Sequence, residues 1–180
     1  MDRKNSSRKG SLTKLVIRDC ALLAAGVLLL ITQPENFFAQ YLLGALLGVI
    51  FYLFHEWAHL FGALLSRSIV AYPDTVISPF IFSFDSQNNS VLQFVSMTVG
   101  GFFATAILLS VYLMFLPENV WGSVALSISF FLTGLTVFIE LPIAIWTIVA
   151  WQIVPVEIPF ISHNPLLEKI SGILANFRKK

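Results

Sequence analysis

His55, Glu56 and His59 form the pattern H-E-x-x-H within the stretch Phe54 to His59. On a helix, residues four apart lie one turn apart on the same face. Two imidazoles so placed can bind one zinc ion, and the glutamate beside the first can act as general base on a water molecule held there. The chain has 180 residues, with three histidines and six glutamates. A sequence of that composition holds about 0.002 copies of the pattern by chance. The flanking residues are apolar, and an ionisable group within a membrane span is costly and marks function. A polar patch that joins two helices by hydrogen bonds is the plainer reading.

Two histidines leave a catalytic zinc one protein ligand short, since such sites usually have three. Glu140 is the expected third ligand. Counted from Phe37, His55 lies about 27 Å along its helix at 1.5 Å per residue. Counted from Trp121, Glu140 lies about 28 Å along a helix that runs in the same direction. Pro142, two residues on, is a natural kink that exposes backbone carbonyls beside a wet cavity. His163, Asp74 and Asp85 are the competing ligands. Turn formation is the simpler role for the two aspartates. Gly100 and Gly101 fall at a similar depth, where small residues let helices approach or bring backbone against the site. Ser96, Thr98 and Thr105 are nearby polar contacts.

The elements that must position these residues follow from composition. Hydrophobic residues make up 57% of the chain and charged residues 12%, with a net charge of +1. Soluble domains carry about 25% charge. That excludes a soluble globule, a nucleic-acid module and a disordered tail. One cysteine, Cys20, forms no internal disulfide. Four apolar stretches have spanning length: Leu15 to Ile31, Phe37 to Leu65, Val91 to Leu116 and Trp121 to Ile153. The first also has the form of a signal peptide, but no small-x-small cleavage site follows it, so an uncleaved helix is expected. Arg18 and Asp19, near its start, reach the interface or pair.

With four spans, all eleven basic residues fall on one side, while the opposite loops carry Glu35 and Glu118 without Lys or Arg. Both termini are therefore expected in the cytoplasm, with the cell membrane as the site of residence. The fold class expected is an all-α polytopic membrane protein of about four helices, with a short extended or hairpin segment between the second and third. Tyr72 to Phe84, rich in β-branched and aromatic residues and broken by Pro73 and Pro79, is that segment. The organisation reads as a basic tail over 1–14, the helical domain over 15–153, and a cytoplasmic tail over 154–180. Within that last tail, Leu166 to Phe177 has the spacing of an amphipathic surface helix.

The run from His55 to Val70, followed by the extended segment, resembles the first core helix of site-2 protease-type intramembrane zinc metalloproteases. Gly100 to Thr105 resembles the family's second, glycine-bearing core helix, with Phe102 where the family has proline and Thr105 where it has asparagine. Phe138 to Trp146 stands where the third core helix carries Asp-Gly. Aligned on Pro142, the family aspartate falls near Thr147, and Glu140 takes its place from about two turns earlier. The resemblance covers residues 45–150. It implies a Zn2+-dependent endopeptidase with Glu56 as catalytic base and His55, His59 and Glu140 as metal ligands. The implied substrate is a transmembrane helix of another protein, unwound within the lipid bilayer near the cytoplasmic side. The missing Asp-Gly also fits a non-catalytic metal-binding membrane protein, a pseudoprotease with an assembly or regulatory role. A transporter or channel is a third class, for which four spans without an inverted repeat are few.

Overall fold

The computed structural model describes residues 3–153, with side chains from residue 12. Helix α1 (Arg3–Thr32) and helix α2 (Phe37–Leu65) precede a small antiparallel hairpin of β1 (Val70–Ala71) and β2 (Ser83–Phe84). Helix α3 (Val91–Phe115) follows, then α4 (Val120–Leu135), a π-turn (Thr136–Glu140) and α5 (Leu141–Ala150). The last three run on as one apolar helical stretch, so among the described residues there are four helices long and apolar enough to cross a membrane. It is an all-α polytopic protein with a minor two-stranded sheet, as expected from the sequence.

Polar caps set the helix ends. The Asn36 side chain accepts from the amides of Phe38 and Ala39 at the start of α2. Ser90 and Gln93 form a reciprocal capping box on α3, and Asn119 accepts from the Gly122 amide on α4. These bonds satisfy N–H groups that the first helical turn leaves unpaired. Gln93 also donates to the carbonyls of Ser66 and Arg67, closing the end of α2 against the start of α3.

Helix α2 is the central element and packs along both α3 and α4, with α1 against it more lightly. Small residues permit the close approach. A Cβ on Gly44 or Gly48 would strike Val124 or Ile128 of α4, and one on Gly62 would strike the Ser96 carbonyl of α3. Leu43, Leu47, Ile50, Phe51, Tyr112 and Ala125 form one buried cluster, where the Tyr112 hydroxyl donates to the Leu47 carbonyl at 2.8 Å. Leu15, Leu60 and Ile81 form a second, which ties the loop after β1 to α1 and α2.

Three expectations are adjusted. Residues 3–14, read as a tail, continue α1 without a break. Tyr72 to Phe84 is not strand throughout: pairing is confined to Val70 with Phe84 and Ala71 with Ser83, and residues 72–82 form an irregular loop. Two prolines without amide hydrogens and the turn at Val76 and Ile77 interrupt any longer ladder. At Pro142 the helix widens into a π-turn just upstream instead of a bare kink. A proline ring collides with the carbonyl four residues before it, and a wider turn moves that carbonyl aside. His163 and the stretch from Leu166 to Phe177 lie outside the described residues.

Candidate metal centre

His55 and His59 sit one turn apart on α2, facing α3. Their ring Nε2 atoms lie 3.0 Å from each other. Glu140, the last residue of the π-turn, reaches across from the fourth helix. Its Oε1 lies 3.3 Å from His55 Nε2 and its Oε2 lies 3.2 Å from His59 Nε2. Among the described residues this is the one set of three or more His, Cys, Asp or Glu side chains whose ligand atoms converge, all within 4.8 Å of one another. Asp74 and Asp85 are not part of it.

Helix α3 determines which ring nitrogens point inward. His59 Nδ1 lies 3.0 Å from the Met97 carbonyl. His55 Nδ1 lies 3.2 Å from the Gly101 carbonyl and 2.8 Å from Thr105 Oγ1. A carbonyl only accepts, so both Nδ1 atoms carry the hydrogen and donate it. In the neutral rings that leaves both Nε2 lone pairs aimed at the same point as a carboxylate, an arrangement compatible with a cation at its centre. Outer hydrogen bonds of this kind fix the tautomer and orientation of metal-binding imidazoles.

Met97, Gly101 and Thr105 are themselves spaced four apart on α3, so one face of α3 holds one face of α2. Gly101 is required by its surroundings, because a Cβ there would overlap Cε1 and Nε2 of the His59 ring. Gly100 plays the packing role, since a Cβ there would strike the Ala58 carbonyl of α2. Both readings of the glycine pair are realised, one at each residue. The backbone carbonyls of Met97 and Gly101 were invisible to a reading of side-chain types. The repeat Met97, Gly101, Thr105 was the available signal.

The π-turn orients Glu140. The Leu141 amide bonds to the Thr136 carbonyl five residues back, so one extra residue is accommodated in the turn. Below it, Ile143, Ala144 and Thr147 continue the face of Glu140 and are half-buried or buried. The histidine side chains are 6% and 10% exposed, whereas that of Glu140 is 36% exposed, so the centre is open on its glutamate side.

Glu56 is buried beside the pair, and its carboxyl faces the hydroxyl of Tyr52 one turn earlier. Asp19 is also buried: it accepts from Arg18 Nε at 2.6 Å and from Trp57 Nε1 at 2.8 Å. The pairing of Arg18 with Asp19 matches the expectation for two charges near a span's start, and it additionally grips the residue that follows Glu56. Asp85 forms a turn instead. It accepts from the Asn88 side chain and from the amides of Gln87 and Asn88, and the Asn88 side chain chiefly holds its carboxyl below the usual range.

No protein-family model, curated protein or solved structure matches this chain. The site therefore rests on its own geometry, which is compatible with one bound metal ion.

Proposed function

We propose that the protein is an intramembrane zinc metalloendopeptidase that hydrolyses peptide bonds of membrane-protein substrates. The observation that carries this reading is the convergence of His55 Nε2, His59 Nε2 and the Glu140 carboxylate beside a buried Glu56. The donor set suits zinc. Neighbouring ligands around a tetrahedral ion with bonds of 2.0–2.1 Å stand about 3.3 Å apart. The observed separations are 3.0, 3.2 and 3.3 Å. Two imidazoles and one carboxylate, with an open fourth position, are also a recurrent catalytic set.

His55, His59 and Glu140 would hold the ion. When bound, zinc acidifies a water molecule and polarises the scissile carbonyl. Glu56 takes the proton of the attacking water on its carboxylate and returns it to the leaving amine, so that the peptide bond breaks with no net proton change. The Met97 and Gly101 carbonyls keep the imidazole hydrogens on Nδ1 throughout. Four apolar helices around the site support chemistry carried out within lipid, with a membrane-embedded segment of another protein as the proposed substrate. The one-sided basic residues support cytoplasmic termini and residence in the cell membrane.

The test is Glu56→Gln in the full chain reconstituted with zinc. The variant retains zinc and loses cleavage of a membrane-spanning substrate. Full cleavage by this variant refutes the mechanism. Zinc retained by the unaltered chain with no cleavage of any membrane substrate supports a pseudoprotease instead, the reading that Thr147 in place of an aspartate favours.

A further inference from the structure

Tyr52, Glu56 and Leu60 follow one another at intervals of four on α2 and share a face. The loop after β1 is attached to both ends of that row. The Tyr52 hydroxyl donates to the Pro79 carbonyl at 3.0 Å. Leu60 packs with Ile81, and both are almost wholly buried. The chain between Pro79 and Ile81 therefore crosses the turn that carries Glu56, which is itself only 7% exposed.

The same loop is held from α1. Arg18 Nη1 donates to the carbonyls of Val76 and Ser78, at 2.8 and 2.9 Å. Asp19 aligns the guanidinium through Nε, and its other oxygen accepts from Trp57 beside Glu56. These are side-chain attachments. Residues 72–82 contain no strand pairing or helix, and Ile77 at the outer turn is 68% exposed. Releasing such a segment breaks a few hydrogen bonds, not a ladder, which puts it among the parts of a fold that open locally.

We propose that residues 76–81 are a displaceable cover over Glu56, latched by Tyr52 and Arg18. Tyr52 also links the cover to the carboxylate. Its hydroxyl has a single hydrogen. While the cover is on, that hydrogen goes to Pro79; the hydroxyl also lies within reach of the Glu56 carboxyl. Lifting the cover frees the donor for Glu56, so uncovering the carboxylate also orients it. Tyr52 is thus a positioning residue, and this last link rests on Glu56 being the base of the proposed protease.

Amide hydrogen exchange on the metal-free full chain in detergent tests the cover. Tyr52→Phe raises exchange within 72–82 by roughly fivefold, the loss of one neutral hydrogen bond. Arg18→Gln raises it by roughly tenfold or more, because two bonds from a charged donor are lost. Exchange in α2 and α4 stays at the level of the unaltered chain. A second measurement uses Glu56→Cys in a Cys20→Ser background, labelled with a water-soluble maleimide. Adding Tyr52→Phe speeds labelling by a similar factor. Unchanged exchange and unchanged labelling overturn the proposal. In cleavage assays, Arg18→Gln lowers KM with kcat kept, because the competent state is more populated. Tyr52→Phe lowers kcat, because Glu56 loses its donor; equal kcat in the two variants overturns the link to Glu56. If the unaltered chain cleaves nothing, the protease reading fails, while exchange and labelling still decide the cover.

Discussion

Gly101→Ala adds one methyl group where the structure has no space for it. The new Cβ would overlap Cε1 and Nε2 of His59, a ring whose other nitrogen is held by the Met97 carbonyl at 3.0 Å. Restoring ordinary carbon contact of about 3.5 Å moves the ring by about 1 Å or more. Metal–ligand bonds tolerate displacements of about 0.2 Å. His59 is therefore lost as a ligand while remaining in the sequence. Changes to outer hydrogen-bond partners cost about 10–100-fold in metal affinity, so displacing a ligand costs more than about a hundredfold. The assay is zinc competition against a fluorescent chelator, with the helical circular dichroism spectrum checking that the fold persists. Gly134→Ala is the control. A Cβ there meets nothing within 4 Å, so affinity stays unchanged. The helix is stabilised by roughly 0.5–1 kcal/mol, because alanine is the better helix former. Wild-type zinc affinity in Gly101→Ala would refute the reasoning, since it would mean that His59 is not held against α3 in the way described.

Thr105→Val keeps the shape of the side chain but removes the hydroxyl 2.8 Å from His55 Nδ1. It lowers zinc affinity by about tenfold in the same titration, within the range for outer-shell partners. Inserting one alanine between Gly134 and Leu135 lengthens α4 by one residue and rotates Glu140 by about 100° about the helix axis relative to the start of α4. Its zinc affinity falls to that of Glu140→Ala, and an unaffected insertion variant would show that the facing of Glu140 does not matter to the site. Asp85 has its carboxyl held below the usual range in the fold, so it adds stability above about pH 4 that is lost as pH falls through the lowered value. Asp85→Asn therefore shows a smaller fall in melting temperature between about pH 5 and pH 3 than the unaltered chain.

Much of the architecture was legible because a bilayer imposes a strong, local rule on sequence. Each span must satisfy its backbone internally and present about 20 apolar residues, so spans can be read as runs without knowledge of their partners. The same rule makes His55, Glu56, His59 and Glu140 conspicuous, and a rise of 1.5 Å per residue was enough to match the depth of Glu140 with that of the histidines. The hairpin was legible as a departure from helix, but its two-residue strands were not. Which of those backbone groups pair depends on Ile81 finding Leu15 and Leu60, and on Arg18 finding Val76 and Ser78 some 60 positions away.

What the sequence by itself determined is the set of helices and the H-E-x-x-H residues on one of them, with Glu140 as one of several expected partners. Rotation about the helix axes was left to the tertiary structure. Depth along a helix is additive in residue number, but facing depends on local winding, and one π-turn changes it by about 100°. Packing alone decided that Glu140 faces the histidines and that Met97 and Gly101 offer their carbonyls to the rings. It also decided that Pro79 lies on Tyr52. These contacts join segments far apart in the chain through backbone atoms that every residue shares, so no residue type announces them.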